Sequence, residues 1–278
     1  MSIYVNTAAV TMFDPFVKQT FQDRGFKLRN AARVRNNVVG STVKFRKIGT
    51  AMAVQKAIQD MVHLNDTTYS EVTLTLQNYN VSDMSDIFSQ AEINFDERTE
   101  LAKTFAMGIG RRADQQVINA LVASGTTNAI VAGGTGFTYE KFLTMNEYHS
   151  QNSSRTPGRM HVAVDAAAEA DLLADDEFIN KRYTEKALLD NGATLDGLDM
   201  FGYMWHVFGT MPEGGIPVAG GTHSAFSWNA DAMGIAIGID FRTTVSFENL
   251  YRSFLVSSDF KANAIAIDPV GIVKIDYV

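Results

Sequence analysis

The chain has 278 residues, 46% hydrophobic and 20% charged, enough to bury a sizeable core as one large domain or two intimately connected ones. It has no Cys, which excludes disulfides, thiolate metal sites and cysteine nucleophiles. Its start lacks the basic, then apolar pattern of a signal peptide, and no apolar run nears the roughly 18 residues of a membrane span.

The formal net charge of −7 is unevenly spread. Residues 16–59 hold ten Lys or Arg against one acid, Asp23, leaving about −16 on the rest. A solvated basic surface is one reading of that split. A basic, extended limb resting on the acidic body of a neighbouring subunit explains it better. With so acidic a body, only that limb is suited to non-specific nucleic-acid contact.

Residues 1–37 read as an irregular arm, with Phe13, Phe16, Val17 and Phe21 at helical spacing after a start at Asp14-Pro15. Two alternating segments follow, 41–46 and 71–77, separated by about 25 residues with little that could anchor a core. Such strands are marginal alone, so 41–77 is expected to be a long hairpin that finds its partner on another subunit. The basic residues Arg33, Arg35, Lys44, Arg46 and Lys47 are the candidate intersubunit contacts.

A long helix is predicted over 96–124, capped by Asn94 or Asp96 and stopped at Gly125. Leu101, Phe105, Ile109, Val117 and Leu121 form its expected core-facing stripe. After the turn Gly133-Gly134-Thr135-Gly136 the pattern becomes mixed α/β. Helices are expected at Tyr139–Gln151, with Phe142, Leu143 and Met145 inward, and from Ala166 through Leu173. Strands are expected at 160–164, 202–208, 224–228 and 234–239, and at the alternating carboxy terminus around the turn 268–271. The loop 212–221 carries Pro212, Gly214, Gly215 and Pro217 and almost no side chain to build a core. Its glycines would let several backbone copies approach one another at a local symmetry axis. An exposed turn is the other reading.

Sites of chemistry are absent at the level of motif. The Gly133–Gly136 turn lacks the Lys and Ser/Thr of a phosphate loop. The acidic run Asp171, Asp175, Asp176 and Glu177 lacks the ligand spacing of a calcium loop and reads as a solvated helix end. The five histidines are scattered, none paired at i, i+4, and no Ser has a nucleophile-elbow context. No catalytic, cofactor-binding or metal-binding residues are assigned.

The order of these elements resembles the major capsid proteins of tailed bacteriophages, whose coat fold is shared with herpesviruses. The resemblance rests on the arm, the long two-stranded hairpin, the helix 96–124, the strand-then-helix Val162–Asp165 to Leu172–Asp175, the strand 202–208 with its Pro-containing loop, and Asp268-Pro269-Val270-Gly271. It implies an α+β fold with an amino-terminal arm (1–37), a long two-stranded extension loop (38–80), a peripheral domain with a spine helix (81–137), a mixed α/β axial domain (138–257) and carboxy-terminal strands returning to the body (258–278). It also implies a non-enzymatic protein forming pentamers and hexamers of an icosahedral shell around double-stranded DNA, located in the virion and assembled in the host cytoplasm. No room is expected before the arm for a removable scaffold segment, so a separate scaffolding protein or none is implied. Portal and decoration proteins are further expected partners, and a membrane is not. The rival readings are an α/β enzyme with an oligomerisation arm and a phage tail or decoration subunit.

Overall fold

The computed structural model describes residues 25–93, 95–175, 178, 194–210 and 212–278. The helix expected from Asp14-Pro15 lies outside these residues, as do Asn94, Asp176 and Glu177.

The described chain begins with a short strand β1 (Arg33–Arg35), then the hairpin strands β2 (Thr42–Ile48) and β3 (Tyr69–Thr75), then β4 (Gln77–Asp86) and a short helix α1 (Ile87–Glu92). The spine helix α2 (Glu97–Val122) follows. At 26 residues it spans about 39 Å. Asp96 is its N-cap residue, and Glu97 and Glu100 place negative charge at its positive end. The rest comprises β5 (Ala129–Ile130), α3 (Tyr139–Gln151), β6 (Met160–Asp165), α4 (Ala166–Ala174), β7 (Asp199–Met200), β8 (Tyr203–Phe208), β9 (His223–Asn229), β10 (Met233–Glu248), β11 (Ser253–Ala266) and β12 (Ile272–Tyr277).

Three sheets result. Among the described residues a four-stranded sheet has the order β1-β10-β11-β4, a six-stranded sheet β5-β12-β9-β6-β8-β7, and β2 pairs only with β3. One core lies between α2 and the four-stranded sheet, with Ile109, Val117, Ile118 and Leu121 against Val34, Phe260, Ala262 and Ala264. A second, aromatic core fills the six-stranded sheet and its helices through Phe137, Phe142, Phe178, Tyr203, Trp205 and Tyr277. In α2, Phe105, Ile109, Val117 and Leu121 are buried and Leu101 is half-buried.

Several expectations change. The arm does not run free to residue 37: Leu28, Ala31 and Ala32 are buried in the first core, and β1 pairs in parallel with β10. The axial boundary at 257 cuts through β11, because β10 and β11 form one long antiparallel pair that joins β4 in the four-stranded sheet. The solvent-facing, largely polar second half of β10 hid that length from hydrophobic periodicity. The last strand, β12, is interior to the six-stranded sheet, between β5 and β9. Leu143 is 46% exposed, while Lys141 and His149 take inward positions on α3.

Candidate assembly surfaces

Of the ten basic residues in 16–59, several are tied to their own chain. Lys27 donates to the Val207 carbonyl at 2.9 Å and pairs with Asp196 at 3.0 Å, and Arg29 pairs with Asp240. Within the five candidate contacts, Lys44 is bonded to Glu71 and Lys47 pairs with Asp268 at 2.7 Å. The bond from Lys44 holds the Glu71 carboxyl below the usual carboxylate range. Arg33, Arg35 and Arg46 instead face a cleft of about 850 Å³ between β1 and β2.

The hairpin divides into an anchored base and a bare tip. Val43 and Phe45 of β2, with Leu74 and Leu76, are buried against Ala236 and Ile267 of the same chain. The base therefore needs no neighbour, contrary to the expectation that both strands await another subunit. Alternation supplies the reason, since every second residue of β2 faces the body. The connection 49–68 carries Met52, Val54, Ile58, Met61, Val62 and Leu64, between 63% and 97% exposed, and is far from devoid of anchoring side chains.

The loop at 212–221 also differs from its reading. Gly214 and Gly215 are buried, and Ile216, 3% exposed, joins the first core. The Gly214 amide donates to Gln115 Oε1 at 2.8 Å, and a Cβ at Gly214 would meet Arg111 Cβ at 3.0 Å. The glycine serves close approach to the spine helix of its own chain. Pro217 and the residues to Gly221 remain exposed.

A polar band on α2 explains these attachments. Asp114 accepts from the amides of Leu28 at 2.9 Å and Lys27 at 3.1 Å, Gln115 holds Gly214, and Gln116 donates to the Ala262 carbonyl at 3.1 Å. All three consecutive polar residues are buried, and burial of such groups demands partners.

The histidines, scattered in sequence, do converge. His161 Nδ1 lies 3.2 Å from His206 Nε2, and the rings are stacked. Both are held neutral, their pKa lowered to about 4 by burial, reinforced at His161 by Arg159 and at His206 by the neighbouring His161. His149 sits between Ser154 Oγ and Ser227 Oγ, each at 2.9 Å, and burial lowers it to about 4 as well. His223 and Tyr277 both bond Asp165, whose other role is to cap α4 through the Ala168 amide. Asp171 and Asp175 are not a merely solvated helix end, because they accept from the amides of Phe137 and Tyr139 at 2.8 and 3.1 Å. Lys141 donates to the carbonyls of Ala132, Thr135 and Asp276, and burial lowers its pKa against the pull of Asp171 and Asp276. Each of these groups is consumed in holding segments together. Among the described residues no group of three or more His, Asp or Glu is arranged to hold a metal ion, and no helix is long and apolar enough to cross a membrane.

The described residues thus form a helix-backed sheet, a second sheet with its own core and a projecting hairpin. The chain belongs to the phage capsid protein family, whose model matches residues 5–278. It is thereby a structural protein and not an enzyme. No curated protein matches it. Among solved structures it is similar to a chain of Mycobacterium phage Che8, with a TM-score of 0.70 at 12% identity, covering 97% of each chain. It is also similar to the capsid of Ralstonia phage GP4, with a TM-score of 0.73 at 10% identity over 100% of this chain and 97% of that one. The head of Helicobacter pylori bacteriophage KHP40 gives 0.73 at 12% identity, with the same coverage.

Proposed function

We propose that this capsid protein self-assembles into pentamers and hexamers that close an icosahedral shell around double-stranded DNA. The observation that carries the reading is the hairpin tip, where Met52, Ile58, Met61 and Leu64 stand more than four-fifths exposed on a base anchored to its own body. Exposed apolar groups concentrated on one projection mark a surface meant for burial against a partner. Each such side chain gains roughly 1.5–3 kcal/mol on full burial, so many symmetric copies hold a shell through individually modest contacts.

Arg33, Arg35, Lys44, Arg46 and Lys47 contribute the polar part of that contact, with Lys44 and Lys47 changing partner from Glu71 and Asp268 on assembly. The exposed end of the 212–221 loop, Pro217 to Gly221, faces a local symmetry axis. The acidic body suits a lining that does not trap packaged double-stranded DNA. Scaffolding, portal and decoration proteins are its further partners, with assembly in the host cytoplasm and residence in the virion.

Negative-stain microscopy of the purified protein tests this. Shells or capsomer rings are the expected result. Particles that stay monomeric at high concentration and physiological salt would overturn the reading.

A further inference from the structure

The four-stranded sheet ends in two unlike edges. Among the described residues β1 pairs only with β10 at one end, and β4 only with β11 at the other. An unpaired edge is a row of free N–H and C=O groups, and proteins normally shorten, cover or occupy it. The β1 end opens onto the cleft of about 850 Å³, whose far wall is β2, itself paired on one side only. Residues of both strands therefore line one cavity.

The cleft is cationic. Among the described residues its charged lining side chains are Arg33, Arg35, Lys44 and Arg46, of which Lys44 is already bonded to Glu71. Arg33 and Arg35 stand two apart on one strand, as do Lys44 and Arg46 on the other, so each pair shares a face. Among the described residues neither Arg33 nor Arg35 forms an ion pair. At the opposite end of the sheet, β4 is ten residues long, exposed from Asn80 to Met84, and carries Asp83 and Asp86. Asp86 is engaged as the cap of α1, whereas among the described residues Asp83 bonds only the adjacent Met84 amide. Both surfaces lie on one chain, and they are complementary in charge and in hydrogen-bonding capacity.

We infer that the β4 edge of a second copy enters the cleft between β1 and β2, with Asp83 set against Arg33 and Arg35. The contact is head-to-tail, one end of each sheet on the other end of the next, which is the arrangement that closes rings. Backbone pairing supplies the continuity and the carboxylate–guanidinium contact supplies the register. A nucleic-acid phosphate chain would satisfy the arginines and leave the strand edges unpaired. This deepens the assembly reading, naming the surfaces by which neighbouring copies meet.

The test is charge exchange in the full-length chain, read by native mass spectrometry for subunit association and by microscopy for shells. Arg33→Glu with Arg35→Glu is expected to weaken association at least tenfold, and so is Asp83→Lys alone. Combining all three changes is expected to recover most of it. A fluorescent peptide of residues 77–86 should bind the parent chain at least tenfold more tightly than the Arg33→Glu, Arg35→Glu variant. Failure of the triple variant to recover, with both parents folded by circular dichroism, overturns the pairing. So does a peptide that ignores the arginine changes, or a duplex DNA probe that alone responds to them. Normal shells from the Asp83→Lys chain would sink this contact while leaving the assembly reading intact.

Discussion

Around the six-stranded sheet, Phe137, Tyr203, Trp205 and Tyr277 are completely buried, whereas in the connection between β2 and β3 Ile58 and Leu64 are 97% and 95% exposed. Both regions are rich in apolar side chains. The difference lies in what the chain itself can bring to them. Rings in the sheet find edge-on and stacked partners from α3, β8 and Phe178. Past the Gly49–Thr68 hydrogen bond the connection makes only local hydrogen bonds among the described residues, such as Asp60 to Ala57, and its apolar side chains stay exposed. One region spends its apolar surface on folding, and the other holds it in reserve for association.

That contrast can be broken at the sheet. Trp205→Ala removes the ring on which Phe137, Phe142 and Phe178 converge, and should cost roughly 3–5 kcal/mol of subunit stability in a urea titration. A loss below about 1 kcal/mol would show that the second core is loosely filled.

Acid probes the same region. His149 has its folded pKa lowered to about 4 from an ordinary 6.5, so the unfolded chain takes up the proton first as pH falls. Its contribution is fully present above about pH 6.5 and is lost progressively down to about 4. At about 1.4 kcal/mol per pH unit, that amounts to about 3 kcal/mol. Unfolding midpoints measured from pH 7 to 4 should fall steeply in the parent. They should fall less in His149→Gln, where no proton is gained. Equal slopes would remove His149 as the cause.

The smallest expected effect on folding is at the hairpin tip. Ile58→Ser, Met61→Ser and Leu64→Ser together should change subunit stability by only about 0.5 kcal/mol or less, because these side chains touch little of their own chain. Shell yield, counted by microscopy, should nevertheless collapse. Normal shells from the triple variant would make the tip dispensable and erase the distinction between the two regions.

Where the fold could be read from sequence follows the same division. The helix Tyr139–Gln151 and the strands expected at 160–164 and 202–208 were visible locally, the helix through its inward Phe142 and Met145 and the strands as short apolar runs. What escaped notice depends on remote partners. Nothing near Asp114 announces that it holds Lys27 and Leu28, 87 and 86 positions away. Nothing near His161 announces His206, which reaches it only because β6 and β8 run side by side. Glycine in the 212–221 loop was read as room for other copies at a symmetry axis or as an exposed turn, whereas Gly214 makes its close approach to α2 of its own chain. Of the basic limb, sign and density were legible, while the intrachain engagement of Lys27, Arg29, Lys44 and Lys47 required the acids from 71, 196, 240 and 268.

The two tryptophans are distributed one to each core, Trp228 in the first and Trp205 in the second, both shielded from solvent. Trp228 is also in contact with its surroundings in two informative ways: its indole N–H donates to the Ala31 carbonyl at 2.7 Å, and its ring stacks on His161. The protein thus contains two native optical probes with separate addresses. In a Trp205→Phe chain the remaining emission reports the docking of the amino-terminal segment and the charge on His161; in a Trp228→Phe chain it reports the aromatic core alone. Whether the cores melt as one unit or in sequence then becomes a question of whether two fluorescence curves superimpose.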